Sequence, residues 1–259
     1  MEIQPAPSAK GFDGWYADMA VSAAKDEIMQ RQLGLPPYVL SSSLLSWEGI
    51  AEVAGALDLS PGGTLLDLAC GRGGYGLEIA ARTGACLVGV DFSAEAVRQA
   101  RESARGLGRM ADFRIGDLAA TGLGAGSVDA VMCIDAVQFA EQQEAVYREL
   151  HRVLVPGGRA VLTCWEPVDR DDDRVPGRLR RVNLSAGLTA AGFSNVYARE
   201  RPGWRSRERA MWQEAVSLDP GDQALRSFRD EGVRSLETFH LLRRVMASAT
   251  RVAGSPWPA

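Results

Sequence analysis

The 259-residue sequence has few of the side chains that hold metal ions and no strong excess of one charge. Its two histidines and four cysteines are widely scattered, without C-x-x-C or paired-histidine spacing, so no metal site is expected. The formal net charge of −4 offers no basic surface to a phosphate backbone. Nucleic acid is therefore not expected among the partners of this protein.

Long apolar runs are also missing. The uncharged stretch at residues 32–47 has 16 residues with two prolines and four serines, which makes it too short and too polar to span a bilayer. The first residues contain no basic segment that leads into an apolar run, so no signal peptide is expected. These absences predict a cytoplasmic protein with no membrane partner.

The sequence consists instead of short apolar runs that alternate with helical patterns. Strands are predicted at 64–69, 85–90, 111–115, 128–134 and 159–164, and helices between them at 74–82, 94–106 and 141–154. Before this region the patterns predict helices at 10–32 and 43–57. After it they predict a charged loop at 169–181, a helix at 184–191 and a strand at 194–199. A helical region at 204–237, with breaks at Pro220 and Gly221, and a final strand at 242–250 follow. Repeated strand–helix–strand units form a parallel sheet that is covered on both faces and binds ligands at the carboxyl ends of its strands.

The most informative segment, residues 65–76, runs from a strand into a glycine-rich turn that opens a helix. Gly71-x-Gly73-x-x-Gly76 satisfies the dinucleotide-binding fingerprint, in which glycines let the backbone approach a ligand and the helix N-terminus offers free N–H groups. An isolated match of this kind also occurs in tight turns that bind nothing. The residues around the turn therefore carry the interpretation.

Two aspartates stand at the ends of the next two strands. Asp91 lies twenty residues beyond Gly71, where its carboxylate can accept hydrogen bonds from both ribose hydroxyls of an adenosine. An aspartate there could also cap the following helix, but Ser93 is placed for that role. Asp117 follows the third strand and could accept a hydrogen bond from an adenine amino group. The pattern thus favours an adenosine-containing ligand.

Together these segments resemble the class I S-adenosylmethionine-dependent methyltransferases of small-molecule type. The likeness covers about residues 64–165 and rests on five motifs in order: loop 67–73, Asp91, Asp117, strand 129–135 and the Pro156-Gly157-Gly158 turn. Ala69 departs from the pattern, since the family often has glycine there. The resemblance implies an α/β, Rossmann-like fold with a seven-stranded, mostly parallel sheet, helices on both faces and a helical cap.

The resemblance also implies S-adenosyl-L-methionine as the cofactor and S-adenosyl-L-homocysteine as its product. Gly71 and Gly73 would pass beneath the methionine moiety, and Phe92 would pack on the adenine. Asp117 with Leu118 would read the adenine amino edge. The implied cofactor-binding residues are Tyr16, Asp67, Ala69, Gly71, Gly73, Asp91, Phe92, Asp117, Leu118 and Ile134.

An NAD(P)-dependent oxidoreductase would use the same fold and the same Asp91, so it stays as an alternative. Asp67 argues against it, because this anion would lie close to a pyrophosphate, whereas the cation of S-adenosylmethionine suits a site with three carboxylates. A second alternative is a protein of this fold that binds the cofactor without transferring a methyl group.

The acceptor is expected to be a small molecule, of a secondary-metabolite or quinone-like kind, methylated at O, N or C. Nucleobase methylases carry an Asn/Asp-Pro-Pro-aromatic turn after the fourth strand, which this chain lacks. The candidate catalytic residues are Asp135 and Gln138 to orient the acceptor, and His240 as a base if its helix folds over the mouth. Helix capping is an equal interpretation of Asp135, and a surface or packing role is the alternative for His240.

The aromatic residues outside the core suggest a lid over the acceptor. Tyr38, Trp47, Trp165 and Trp204 are the candidate substrate contacts, with anchoring of helices to the sheet as the other explanation. The expected organisation is a single domain over 1–259, in which 1–60 form a helical cap, 61–200 and 241–252 the cofactor-binding core, and 201–240 a helical insertion in the lid. The oligomeric state stays open.

Overall fold

The computed structural model describes residues 8–219 and 221–252, which form a seven-stranded sheet and its flanking helices. In chain order the strands are β1 (Thr64–Leu68), β2 (Cys86–Asp91), β3 (Ala111–Ile115), β4 (Val128–Ile134), β5 (Leu154–Pro167), β6 (Phe193–Glu200) and β7 (Leu242–Arg251). The α-helices are α1 (Ala9–Ala20), α2 (Ala23–Leu33), α3 (Trp47–Leu57), α4 (Gly74–Thr83), α5 (Ala94–Gly106), α6 (Gln143–Val153), α7 (Gly177–Arg180), α8 (Leu184–Ala190), α9 (Pro202–Ser217) and α10 (Gln223–Thr238). Short 3-10 helices occupy Val137–Phe139 and Phe239–Leu241.

The strands lie in the order β3-β2-β1-β4-β5-β7-β6, and β7 runs antiparallel to both of its neighbours. The chain leaves β1 toward β2 and β3 and then returns to place β4 on the other side of β1. Such a reversal opens a crevice at the carboxyl ends of the two central strands, where ligands bind in sheets of this kind. The predicted Rossmann-like, mostly parallel sheet is confirmed.

Each face of the sheet has its own hydrophobic core, because successive side chains of a strand point to opposite faces. Leu65 packs with Leu87 and Met132 in a core that also contains apolar residues of α3, α4 and α5. Leu66 packs with Val131 in a second core that contains residues of α6 and α8. Helices therefore cover both faces, as the alternation of strands and helices predicts.

Several predicted bounds differ from the observed ones. The region 10–32 is two helices, because the chain leaves helical geometry at Val21 before α2 begins. The helix expected at 43–57 begins at Trp47, since the Ser46 hydroxyl accepts from the Gly49 N–H and caps it. The charged loop 169–181 includes the short helix α7. The predicted break at Pro220 lies outside the described residues.

The N-terminal helices pack on the helices that follow β6. The hydroxyl of Ser22, which precedes α2, donates to Asp222, which precedes α10, at 3.2 Å. Within the second group of helices, the rings of Trp212 in α9 and Phe228 in α10 are 5.3 Å apart. We call α1, α2 and the segment 34–46 the cap. No helix in the described part of the chain has the length and hydrophobicity to cross a membrane.

Candidate cofactor and acceptor site

The turn after β1 has a backbone that favours glycine. Gly71 and Gly73 have φ values of 52° and 78°, in the left-handed region that costs most residues energy. A Cβ at Gly71 would lie 2.6 Å from the Ser42 hydroxyl, and one at Gly73 would lie 2.9 Å from the Phe113 ring. Ala69 also has a positive φ of 62°, which is the physical reason that glycine is favoured at this position. The backbone of the turn therefore lies so close to Ser42 and Phe113 that a side chain at Gly71 or Gly73 would clash.

Asp91 connects the end of β2 to this turn. Its two carboxylate oxygens accept from the backbone N–H groups of Gly71, at 2.9 Å, and Ser93, at 3.0 Å. The Ser93 hydroxyl accepts from the Ala96 N–H and caps α5, as predicted from the sequence. A carboxylate has about four lone-pair sites, so each Asp91 oxygen retains capacity for a further hydrogen bond.

Asp67, in β1, is the second buried carboxyl at the turn. It is 3% exposed, and a Cβ at Gly76 would lie 2.6 Å from its Oδ2 atom. Burial, together with the nearby Asp91, raises the pKa of Asp67 to about 8. No ion pair to Asp67 or Asp91 occurs within residues 8–219 and 221–252. Two buried carboxyls without a counter-ion make this site favour a cationic ligand.

The cap contributes two hydroxyls to the turn. The hydroxyls of Tyr16 and Ser42 are 3.2 Å apart, and a Cβ at Gly71 would touch both. Burial raises the pKa of Tyr16 well above its ordinary value, and Asp91 acts in the same direction, so the phenol stays a hydrogen-bond donor. The Gln99 side chain donates to the Tyr16 carbonyl at 2.9 Å and holds α1 on α5. Ser42 was not predicted, because a serine in a loop has no periodic signal.

The segment 34–46 closes over the turn through contacts with two core elements. The Ser43 hydroxyl donates to the Ile134 carbonyl at 3.3 Å, and the Leu45 N–H donates to the Tyr75 hydroxyl at 2.9 Å. The space enclosed between this segment, the turn and the end of β4 is about 10 Å³. That volume holds roughly one water molecule. This space therefore does not admit a nucleoside-sized ligand in the arrangement described.

The expected adenine contacts lie farther along the edge. Phe92 is half-buried and packs on Phe12 of the cap, with ring centroids 5.1 Å apart. Asp117 is exposed and accepts from the Ala119 N–H at 2.8 Å, and Leu118 beside it is half-buried. These residues lie at the carboxyl ends of β2 and β3, and their contact with an adenine stays a prediction.

Asp135 has a role that differs from both interpretations open at the sequence level. It is buried with a φ of 58°, and its oxygens pair with the Arg244 guanidinium at 2.5 and 2.6 Å. The Thr163 hydroxyl donates to it at 2.6 Å and the Leu44 N–H at 3.2 Å. Four hydrogen bonds occupy both oxygens, so Asp135 neither caps a helix nor has capacity left for an acceptor.

Arg244 continues this buried network toward the helices after β6. Its side chain is fully buried, its Nε atom lies 3.7 Å from Glu208 Oε2, and its guanidinium lies 4.2 Å from the Trp165 ring centroid. The Trp165 indole N–H donates to Glu208 Oε1 at 2.8 Å, and that of Trp204 donates to Glu52 at 2.9 Å. Burial raises the pKa of Glu208 to about 7, against the opposing effect of Arg244. Trp165 and Trp204 therefore enclose the network next to the end of β4.

Comparison with known proteins shows similarity to methyltransferases. A model described as a methyltransferase domain matches residues 65–158, which contain the glycine turn, Asp91, β4 and the first residues of β5. Squalene methyltransferase 2 of Botryococcus braunii is 30% identical over 163 residues, which are 62% of this chain and 41% of that protein. The 2-methyl-6-phytyl-1,4-hydroquinone methyltransferase of Synechocystis sp. is 30% identical over 172 residues, which are 65% of this chain and 53% of that protein.

The matched methyltransferases are longer proteins, of which this chain spans about half or less. Among solved structures, the [4+2]-cyclase SpnF has a TM-score of 0.75 with 20% identity, covering 98% of this chain and 100% of its own. Phosphoethanolamine N-methyltransferase 2 of Haemonchus contortus has a TM-score of 0.73 with 16% identity, covering 96% of this chain and 61% of its own. At these identities the likeness concerns the fold.

The remaining predicted residues lie in different places. Gln138 is buried and accepts from the Cys164 thiol at 2.6 Å. His240 is exposed, and Asp172 is a charged residue near it. The structure thus gives Gln138 a partner within the core and leaves His240 at the surface.

Tyr38 and Trp47 follow the anchoring explanation. The Trp47 ring lies 4.0 Å from the Arg82 guanidinium, in the last turn of α4, and that helix extends ~15 Å from the glycine turn. Tyr38 is exposed and lies 5.7 Å from the Arg109 guanidinium, which itself donates to the Leu77 carbonyl. The interpretation of these two aromatics as substrate contacts is corrected accordingly, because their rings cover arginines on the outside of the core.

Proposed function

We propose that this protein binds S-adenosylmethionine at the glycine turn and transfers its methyl group to a small-molecule acceptor. The observation that carries the proposal is the pair of buried carboxyls, Asp67 and Asp91, beside the glycine turn, whose backbone is closely surrounded by other atoms. A ligand with a positive charge and two adjacent hydroxyls matches that pair. A pyrophosphate has no positive charge to favour the ionised form of either carboxyl, and its own charge would repel them once they are ionised.

The residues present fit this cofactor. Asp91 retains acceptor capacity for two ribose hydroxyls while it holds the Gly71 N–H. The hydroxyls of Tyr16 and Ser42 offer donors beside Gly71 for the methionine carboxylate, and Asp67 would face the ammonium side. The remaining implied contacts, at Phe92, Asp117, Leu118 and Ile134, stay proposals. When bound, the cofactor supplies an activated methyl group on a sulfonium centre.

The chain's own contribution would be alignment and exclusion of water. Methyl transfer is an in-line displacement that gains most from a fixed approach of the acceptor. The Asp135–Arg244 pair joins the end of β4 to β7, and Glu208 connects both to α9. We infer that this network keeps the acceptor side of the site rigid. The cap, with the helices within 201–240, would form the lid of a single domain.

A secondary-metabolite or quinone-like acceptor is our proposal for the substrate class. The names of two relatives, which act on squalene and on a phytyl hydroquinone, support a small apolar molecule. The half-buried rings of Phe12, Phe139 and Trp15, at the mouth of the site, are suitable contacts for such a molecule. The atom that is methylated, O, N or C, stays open in this proposal.

Calorimetry with S-adenosylhomocysteine and, in parallel, with NADH tests the cofactor. We expect micromolar binding of the first alone, and loss of that binding in Asp91→Ala but not in Asp112→Ala, an exposed aspartate paired with Arg114. Binding of NADH alone would refute the proposal. Release of S-adenosylhomocysteine during incubation with S-adenosylmethionine and a panel of phenols, quinols and terpenoids then tests transfer.

That turnover assay also tests the second candidate, a protein that binds the cofactor without methyl transfer. SpnF, whose name describes a [4+2]-cyclase, has the same fold over nearly the whole of this chain. Tight cofactor binding, with an acceptor converted but no S-adenosylhomocysteine formed, would favour that candidate.

A further inference from the structure

Lys25 in α2 is a buried cation whose immediate neighbours are aromatic. It is 3% exposed, and its Nζ atom lies 4.4 Å from the Trp15 ring centroid and 5.3 Å from that of Phe228. In the part of the chain that the structure describes, Nζ makes no hydrogen bond and no ion pair. Aromatic faces attract an ammonium, but they do not replace the hydrogen bonds that burial removes.

The nearest carboxylates are not ion-pair partners of Lys25. Asp26, the next residue, binds the Arg72 guanidinium with both oxygens, at 2.7 and 2.9 Å. Glu231 in α10 favours the charged form of Lys25 without forming an ion pair with it. Burial nevertheless lowers the pKa of Lys25 to about 8. Burial thus makes the charged form of Lys25 less favourable, and an anion beside the ammonium would stabilise that form.

Lys25 lies where the cap meets the glycine turn. Asp26 pairs with Arg72 of the turn itself, and Trp15 precedes Tyr16, whose hydroxyl lies against Gly71. From Trp15 a row of rings continues through Phe12 to Phe139, with centroid distances of 6.0 and 5.5 Å. A ligand could therefore present an anion to Lys25 in two ways. The anion could be the amino-acid end of a ligand bound at the glycine turn, or an acidic group of a molecule that lies along this row of rings.

Composition also distinguishes this position. The chain has 29 lysines and arginines, of which only Lys10 and Lys25 are lysine. An ammonium is more compact than a guanidinium, fits between two rings and gives three donors to one anion. The exposed Lys10 in α1 provides the matched control for any change at Lys25.

We propose that Lys25 is an anion-binding residue, which forms a salt bridge with a carboxylate or phosphate group of a ligand held under the closed cap. The group belongs either to the methionine end of the cofactor or to the acceptor. Both sources rest on the proposed function, the first on binding of S-adenosylmethionine and the second on transfer to a second molecule, whereas binding of a simple anion at Lys25 can be measured without either. The Arg178 guanidinium lies 5.0 Å from the Phe139 ring centroid, at the other end of the aromatic row.

The test is calorimetry on wild type, Lys25→Met and Lys10→Met with four probes. S-adenosylhomocysteine has the amino-acid carboxylate, and 5′-methylthioadenosine has the same nucleoside and thioether without it. Inorganic phosphate and benzoate, added with and without saturating S-adenosylhomocysteine, report an acceptor anion. A charged hydrogen bond of this kind corresponds to about a 10- to 100-fold loss of affinity on removal.

Weaker binding of S-adenosylhomocysteine by Lys25→Met, with unchanged methylthioadenosine, supports the proposal with the cofactor as source. Loss of phosphate or benzoate binding alone supports it with the acceptor as source. Equal affinities of Lys25→Met and wild type for all four probes would overturn it. If wild type binds no S-adenosylhomocysteine, the proposed function fails, while the phosphate and benzoate titrations still decide the role of Lys25.

Thermal unfolding separates this role from a structural one. Lys25→Met removes a buried charge that has no ion pair, so its melting temperature without ligand is expected to equal or exceed that of wild type. A structural ammonium would show the opposite, a lower melting temperature with unchanged ligand affinities, and that result would contradict the proposal.

Discussion

Asp67→Asn is expected to stabilise the free protein and to weaken its cofactor site. The buried carboxyl has a pKa of about 8, against 3.8 for an ordinary aspartate, so the folded protein holds a proton that the unfolded chain releases. The stability of wild type therefore falls as the pH rises from about 4 to about 8, and levels off above that. Asparagine has nearly the same shape and no ionisation, so the variant lacks this loss.

The magnitude follows from the two pKa values. Each pH unit between the unfolded pKa of 3.8 and the working pH costs about 1.36 kcal/mol. At pH 7 this amounts to at most about 4 kcal/mol, and relaxation around the buried group reduces it. We expect Asp67→Asn to raise the free energy of unfolding by about 1 to 3 kcal/mol at pH 7 and to have little effect near pH 4.

Urea unfolding of wild type and Asp67→Asn between pH 4 and pH 8.5 measures this difference. Asp112→Asn, at an exposed position of β3, is the control and should show no pH-dependent difference from wild type. Binding of S-adenosylhomocysteine is expected to weaken about 10- to 100-fold in Asp67→Asn. Calorimetry in buffers of different ionisation enthalpy should detect a proton released when wild type binds the ligand at pH 7, since the cation favours the ionised carboxyl.

A stability difference that stays constant from pH 4 to pH 8.5 would refute the reasoning, because it would mean that Asp67 is ionised in the folded protein at neutral pH. Equal affinities of the two proteins for S-adenosylhomocysteine would separately refute the placement of a ligand cation beside Asp67.

Three further substitutions test the turn and the buried network. Asp91→Ala leaves the Gly71 N–H without its acceptor and removes the proposed ribose contacts, so calorimetry should show at least a tenfold loss of S-adenosylhomocysteine affinity; an unchanged value would contradict that assignment. Tyr16→Phe removes one donor beside Gly71 and should weaken the same binding about fivefold with little change in melting temperature, whereas a large loss of stability would indicate a structural role. Arg244→Met leaves the Asp135 carboxylate buried without its cationic partner and should lower the free energy of unfolding by about 3 to 5 kcal/mol in urea titrations. Adding Asp135→Asn to that variant should restore much of the loss, and strict additivity of the two changes would disprove the pairing.

The parallel core could be predicted from local sequence. The bounds 111–115, 128–134 and 94–106 expected for β3, β4 and α5 match the structure, because apolar periodicity is encoded within each element and Ser93 marks the start of α5. β5 begins earlier than expected, at Leu154, where it pairs with Val128 before the register shifts. The Pro156-Gly157-Gly158 segment was expected to be a turn that precedes the strand, but in the structure its backbone is part of β5.

The glycine turn and its two carboxyls were likewise accessible from sequence. Asp67, Gly71 and Asp91 lie at fixed distances from the ends of two strands, and parallel strands bring those ends to one edge. Ile134 follows by the same geometry, since β4 lies beside β1. The surroundings of Asp135 and Lys25 could not be predicted in this way, because the residues that contact them include ones far away in the sequence, on other helices and strands.

What the sequence alone determined is therefore the alternation of strands and helices, the glycine turn and the acidic residues at strand ends, each encoded within a few consecutive residues. Only the tertiary structure decided that Arg244 neutralises Asp135 across 109 residues, that Tyr16 and Ser42 meet over Gly71, and that Trp47 covers an arginine away from the site. The physical reason is that burial and partner, not residue type, set the state of a charged or aromatic side chain. Both quantities exist only once distant segments have packed together.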